Sequence, residues 1–305
     1  MSIILFFISL LFGVLYFALY NIGFALEKQA IDKFPVEIKE NYLKLIKQAI
    51  KTPKWLFGFS LTIASIMCYF IALLWAPLTV IAPLTGFGLV ILVIYSQRII
   101  GEKLSTLEYI GILLVIVGNS SIGYFMSRQI YTVSWVEWND LTKNTLSFMV
   151  IILIFFMLSI TLALTFFLPK ETKGLLFAII AGISSGFQTI VVKGLSILIA
   201  EKLLFVLFGI FIIYLFIFSL TALGSTGGIQ IALRDCKISS SMAVYNTFMI
   251  IIPVTYGGIA LREWNNLGNT SLLITILSLI IVIVGVLIIC TKHKFENTFC
   301  VEETV

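Results

Sequence analysis

The stretch AGISSGFQTIVVKGLSI, residues 181–197, sets Ser184, Ser185, Gln188, Thr189 and Lys193 inside an apolar run. A polar group left unpaired in hydrocarbon is costly, so such residues need partners. Their hydroxyl and amide oxygens carry lone pairs that can replace a cation's water or hold a polar solute. Ser184 and Gln188 stand four apart and share a helical face. The simpler role for the serines is bonding back to their own helix carbonyls. Gly182 and Gly186 sit beside them, and the simpler role there is close approach of a partner helix. The Gln188 amide needs more partners than one helix supplies, which points to a cavity. Lys193 lies about one turn from the end of its run. It either snorkels to the interface or acts as a cationic gate that orients a substrate.

Other polar residues recur inside apolar runs: Tyr20 and Asn21, Gln230, and Tyr245, Asn246 and Thr247. Tyr20, Asn21, Ser184, Ser185, Gln188, Gln230, Tyr245 and Asn246 form the expected substrate pathway. Pro253 frees the carbonyl of Met249, and Pro83 frees that of Thr79. Each proline predicts a kink and a gating element beside Lys193. Glu27, Glu108, Asp235 and Glu263 end apolar runs and could concentrate cations at the mouths; pairing with a nearby Lys or Arg is the simpler role for each. On this reading all 15 acidic residues fall in loops, tails or end turns. That argues against a buried carboxylate proton relay. It also argues against a dehydrated Mg²⁺ cage, because Mg²⁺ favours carboxylate oxygens in near-octahedral array. A hydrated ion passing neutral oxygens fits better.

Catalysis finds little support. The one histidine, His293, lies in the C-terminal tail, and no nucleophile–base pair stands out. The chain is expected not to be an enzyme, to carry no cofactor and to bind no nucleic acid. The four cysteines are scattered, with neither zinc spacing nor a disulfide framework.

These residues must be positioned by membrane helices. Apolar residues make up 60% of the 305, charged residues 11%, and mean hydropathy is +1.11. Soluble domains average about 25% charged residues. A bilayer core of about 30 Å needs roughly 20 apolar residues per helix. Nine segments qualify: 3–26, 54–75, 79–99, 106–126, 146–168, 174–197, 203–235, 240–261 and 269–291. Such long runs exclude the short alternating strands of a β-barrel. The fold class is therefore an all-α integral membrane protein with nine transmembrane helices. The seventh run is long and contains TALGSTGG, so one span with a break at Gly224, Gly227 and Gly228 is expected; ten spans is the alternative. The first run lacks a basic leader and a clear cleavage site, and is expected to remain as a helix.

Basic residues crowd alternate loops. Lys28, Lys33, Lys39, Lys44, Lys47, Lys51, Lys54, Arg98, Lys103, Lys170, Lys173, Arg234, Lys237, Lys292 and Lys294 fall on one side. Arg128, Lys143, Lys202 and Arg262 fall on the other. The positive-inside bias puts the N-terminus outside and the C-terminus in the cytoplasm, with the plasma membrane the expected location. Residues 35–51 place Ile38, Tyr42, Leu45, Ile46 and Ala49 on one face, which predicts a cytoplasmic helix lying on the membrane. Tyr131, Trp135 and Trp138 in loop 127–145 are expected interfacial anchors.

The chain also repeats itself. IAL at 71–73 recurs at 231–233, and each is followed by a turn and a proline-bearing span, with Pro83 and Pro253. Those spans lead to Glu102 and Glu263, while Lys28 and Lys193 mark the ends of the first and sixth spans. Spans one to four thus match six to nine. An odd linker span between the sets turns the second upside down. This gives two inverted four-helix repeats joined by a linker helix: 1–126, a loop and linker at 127–173, 174–291, and a tail at 292–305. Inverted repeats are a recurrent transporter plan, with the site at the midplane between halves.

The run ALLWAPLTVIAPLTGFGLVILVIYSQRIIGEKLSTLEYIGILLVIVGN (72–119) resembles the drug/metabolite transporter superfamily. IVVKGLSI, followed by GGIQIALRDCKISSSMAVYNTFMIIIPVTYGGIALREW, is similar to the NIPA branch of magnesium transporters. That branch's Gln- and Thr-Pro-bearing patterns are matched loosely, at Gln230–Ala232–Leu233 and Ile252–Tyr256. The resemblance implies a secondary transporter working by alternating access, with Mg²⁺ or another divalent cation as cargo. A small polar organic metabolite is the alternative cargo, and the missing midplane carboxylates favour it. A third reading is a non-transporting membrane adaptor or receptor. The expected partners are the lipid bilayer and the transported species, and a homodimer is compatible with the sequence.

Overall fold

The computed structural model describes residues 3–35, 38, 42–101, 104–126, 133–168, 170–203 and 206–302. Glu102 and Tyr131, and parts of the 35–51 segment, lie outside them. Among the described residues there is no strand, and nine helices are long and apolar enough to cross a membrane. In order the spans are Ile4–Asp32, Pro53–Leu74, Leu78–Ile100, Thr106–Phe125, Thr145–Phe167, Thr172–Ala200, Phe208–Asp235, Ile238–Ala260 and Asn269–Ile289.

Two of these differ from expectation in ways that matter for the site. The first helix does not stop at residue 26 but continues through Asp32, carrying Glu27 and Lys28 within it. The seventh helix runs unbroken from Phe208 to Asp235, so the expected break is absent. Its glycines shape contact surfaces instead of ending the helix. A Cβ at Gly228 would come within 3.0 Å of the Phe177 carbonyl oxygen, and one at Gly224 within 3.0 Å of Ser184 Oγ. Both therefore face span six, in the small-xxx-small manner that lets membrane helices approach.

The two sets of four spans show the same pairing. Span one packs on span two and span three; span six packs on span seven and span eight. Spans four and nine pack against each other across the halves. At that seam a Cβ on Gly111 would lie 2.7 Å from the Gly285 carbonyl oxygen. Spans three and eight, the proline-bearing pair, each finish in a five-residue π-turn, Ser96–Ile100 and Tyr256–Ala260. Around Pro83 the helix tightens to a 3₁₀ turn, Ala82–Leu84. Pro253 sits buried inside its helix. Span five, the linker, exposes Phe148, Ile152, Phe155 and Phe156, the surface expected of a helix facing lipid.

Two peripheral helices complete the fold. Tyr42–Ile50 buries Leu45 and Ala49 against Ala30, Ile31, Phe34 and Trp55, and leaves Ile46 and Ile50 exposed. Trp135–Thr142 opens with a capping box between Ser134 and Glu137. Trp138 is not an interfacial anchor: it is 1% exposed and its indole N–H donates to the Tyr214 hydroxyl at 2.9 Å. A buried indole needs such a partner.

Gly182 and Gly186 bring span eight onto span six; a Cβ at Gly182 would be 2.6 Å from the Tyr245 carbonyl oxygen. Gly182→Leu should therefore lower the thermal midpoint in detergent, with an overpacking cost of about 1–3 kcal/mol. Gly227 is the contrasting case, because a Cβ there would meet nothing within 4 Å. Gly227→Ala should leave the midpoint unchanged or raise it, by up to about 1 kcal/mol of helix propensity.

Candidate functional site

A cavity of about 50 Å³ lies between spans one, two, six and seven. Its lining is mixed, with Tyr16, Tyr20 and Tyr69 as aromatic walls and Thr62, Ser185, Gln188, Thr189, Ser225 and Thr226 as polar lining. The first two spans come from one half and the last two from the other. On span six, Ser185, Gln188, Thr189 and Val192 recur at the helical interval and form its face of the cavity. Tyr16 and Tyr69 stack with ring centroids 4.2 Å apart. The Tyr69 hydroxyl donates to Thr189 Oγ1 at 2.9 Å, bridging the halves. A second bridge joins the hydroxyls of Tyr20 and Tyr245. Ser225 hydrogen-bonds that same Tyr245 hydroxyl at 3.2 Å.

The expected pathway residues divide. Tyr20, Ser185 and Gln188 line the cavity, and Tyr245 reaches its wall through Tyr20 and Ser225. Ser184 does not share it. Ser184 lines an apolar groove with Phe155, Phe187 and Gly224, because a neighbouring residue on a helix points about 100° away. Asn21 turns to span three, where its Nδ2 donates to its own helix at Phe17, 2.7 Å away, and packs against Gly88. Asn246 is fully buried away from the cavity, and its amide has no hydrogen-bond partner among the described residues. Neither proline lines it; Pro83 borders a separate groove beside Asn119. Tyr16, Thr62, Tyr69, Ser225 and Thr226 were not singled out by their sequence. Tyrosines and hydroxyl residues are ordinary in membrane helices; only Tyr16, four residues before Tyr20 on the same helix, carried a register that could have marked it.

Beyond the cavity in both directions, contacts join the halves. At one end Lys193, only 2% exposed, donates to the carbonyls of Leu73 at 2.8 Å and Ala76 at 2.9 Å. It does not snorkel. It satisfies carbonyls left open where span two finishes, and a cation suits that negative helix end. Close by, Thr79 donates its hydroxyl to Glu263 at 2.6 Å, tying the start of span three to the turn after span eight. Burial holds the Glu263 carboxyl above the usual carboxylate range, while the Thr79 hydrogen bonds and the Lys193 charge pull it back down. Lys193 also borders a vestibule of about 350 Å³ with Trp75, Ser134 and Glu201.

At the other end the arrangement is matched. Lys28 donates to the Leu233 carbonyl at 2.5 Å and pairs with Asp32 at 2.8 Å. Glu108 accepts from Ser240 Oγ at 3.0 Å and meets Lys237 at 3.4 Å, near the start of span eight. Leu73 and Leu233 are the last residues of the two IAL sequences, so each lysine caps the repeat motif of the opposite half. Asp235 is a surface partner of Arg234, at 2.5 Å, beside Gly174.

Glu27 does not fall in an end turn, as expected, but within the first helix. It is wholly buried, because the first helix extends past it. Its Oε1 accepts from Thr62 Oγ1 at 3.1 Å, and its Oε2 accepts from the Gln230 amide of span seven. Thr62 itself borders the cavity. Among the described residues no group of three or more His, Cys, Asp or Glu side chains comes together.

Lys193→Met orphans the Ala76 carbonyl, at about 1–3 kcal/mol, and leaves the Leu73 carbonyl with the Ser196 hydroxyl at 3.2 Å. Lys28→Met orphans one. Both should lower the thermal midpoint in detergent. Because the two lysines share no partner, the double variant should show the sum of the single losses to within about 0.5 kcal/mol.

Comparison with known proteins gives the family. Residues 6–295 match the family described as Magnesium transporter NIPA. The mouse Magnesium transporter NIPA4 is 22% identical over 253 residues, covering 81% of this chain and 61% of that protein. The human Magnesium transporter NIPA4 is 24% identical with the same coverage. The Arabidopsis thaliana Probable magnesium transporter NIPA9 is 31% identical over 104 residues, covering 34% of this chain and 29% of that protein. The chain thus spans about 61% of the length of the NIPA4 relatives it matches. No solved structure matches it. The match across nearly all nine spans makes this chain a member of the NIPA magnesium transporter family.

Proposed function

We propose that the chain carries Mg²⁺ or another divalent cation across the membrane by alternating access, with the cavity between the halves as its holding point. The observation that carries this reading is the cavity itself: a small oxygen-bearing space walled by spans one and two on one side and six and seven on the other. The two halves act as inverted repeats. Their matched pairing, their matched π-turns and their matched lysine caps support that relation. One end opens when Lys193 and Glu263 let go of spans two and three. The other opens when Lys28 and Glu108 let go of spans seven and eight. A carrier needs one set held while the other parts. The proposed orientation puts the Lys193 end outside and the Lys28 end in the cytoplasm of a plasma-membrane protein.

Size favours an ion over an organic solute. Pockets for small molecules run to about 300–1,000 Å³, against about 50 Å³ here. The driving force need not be ATP. A divalent cation entering an inside-negative compartment gains roughly 4.6 kcal/mol per 100 mV, twice the value for one elementary charge.

Proteoliposomes holding a Mg²⁺-sensitive dye should brighten on addition of external Mg²⁺, faster under an inside-negative potential. Gln188→Leu should cut the rate tenfold or more while leaving the elution profile in detergent unchanged. Absence of flux for every divalent cation tried, with stabilisation by a small polar metabolite instead, would overturn the reading.

A further inference from the structure

Resting on the transport reading, we infer that Glu27, Thr62 and Gln230 form a cation-binding site just beyond the cavity, with Glu27 as its one anionic ligand. The site is built by close backbone approach. Gly23 and Gly58 face each other between spans one and two; a Cβ on Gly58 would meet the Gly23 carbonyl oxygen at 2.6 Å and Glu27 Cγ at 3.1 Å. That contact sets Glu27 beneath Thr62, whose hydroxyl is shared between the carboxylate and the Gly58 carbonyl, at 3.1 and 3.2 Å. Gln230 closes the site from the opposite half.

The carboxylate has hydrogen bonds but no counter-charge. The neighbouring Lys28 points to Leu233 and Asp32, and among the described residues Glu27 makes no ion pair. The other buried carboxylate near this end, Glu108, has Lys237. A buried carboxylate without a cation costs several kcal/mol even after relaxation, and an ionisable group inside a membrane span is functional by default. Its ligand set is oxygen-rich: two carboxylate oxygens, the Thr62 hydroxyl, and the Gln230 amide oxygen once that side chain turns. Hard divalent cations take such oxygens. A cation in the cavity reaches the site past Thr62, which borders both. Binding here replaces the Glu27–Gln230 hydrogen bond by joint ligation of the ion, so occupancy and the contact between halves at this end are coupled.

The test uses the full chain purified in detergent and titrated with MgCl₂, with NaCl at matched ionic strength as control. Wild type should show a Mg²⁺-dependent rise in thermal midpoint. Glu27→Gln keeps the shape and should weaken Mg²⁺ affinity tenfold or more. Thr62→Ala, which leaves the carboxylate in place, should weaken it severalfold and serves where Glu27→Gln does not fold. Glu137→Gln, in the peripheral helix away from the site, should leave the affinity unchanged. If the Glu27 and Thr62 variants bind as wild type does, Glu27 is merely a protonated, hydrogen-bonded acid and the site is wrong, while the transport reading stands. If wild type neither binds nor moves any divalent cation, the transport reading fails and takes the site with it.

Discussion

One constraint shapes this bundle: hydrocarbon offers no hydrogen bonds, so a helix end or polar side chain without a protein partner is costly. The two buried lysines are the clearest result. A helix finishing inside the bundle leaves carbonyls exposed to nothing. Lys193 supplies the missing donor for span two and Lys28 for span seven. In each case the donor comes from the other half of the chain. The groups that complete the helices are therefore the groups that hold the halves together. Completing the helix ends and joining the two halves are two readings of the same hydrogen bonds.

The same constraint explains how polar residues divide between two environments. Asn21 bonds back to its own helix and packs against a glycine of span three. Ser185, Gln188, Thr189 and Tyr69 turn inward to the cavity, where partners come from across the interface. Aromatic rings fill the remaining wall, and the Tyr16–Tyr69 stack joins spans one and two just where a cavity would otherwise widen.

Much of this architecture was legible in the sequence, and the failures have physical causes. Hydropathy finds the nine spans because each run exceeds bilayer thickness and charges cluster between them. It misplaces Glu27, because an apolar run ends at the first charge whereas a helix ends where its hydrogen bonds stop. The glycines of span seven read as a break, since glycine weakens an isolated helix; Gly224 and Gly228 instead permit contact with span six. Gln188 stood out by residue type, but helical spacing alone put Ser184 beside it when the neighbouring span selects Ser185. Asn246 looked equally suited to the cavity; only the rotation of span eight, which turns Tyr245 inward, decides otherwise.

The seam between spans four and nine has its own significance. Gly111 and Gly285 meet there backbone to backbone, with no side chain of either interposed, and neither span borders the polar cavity. Around that point Leu114, Val115, Val282 and Ile289 fill the seam with side chains. Such interlocked packing resists rolling of one helix over the other, so these two spans are joined as a single slab. Bulk added at either glycine would be felt by the fold without touching the polar cavity.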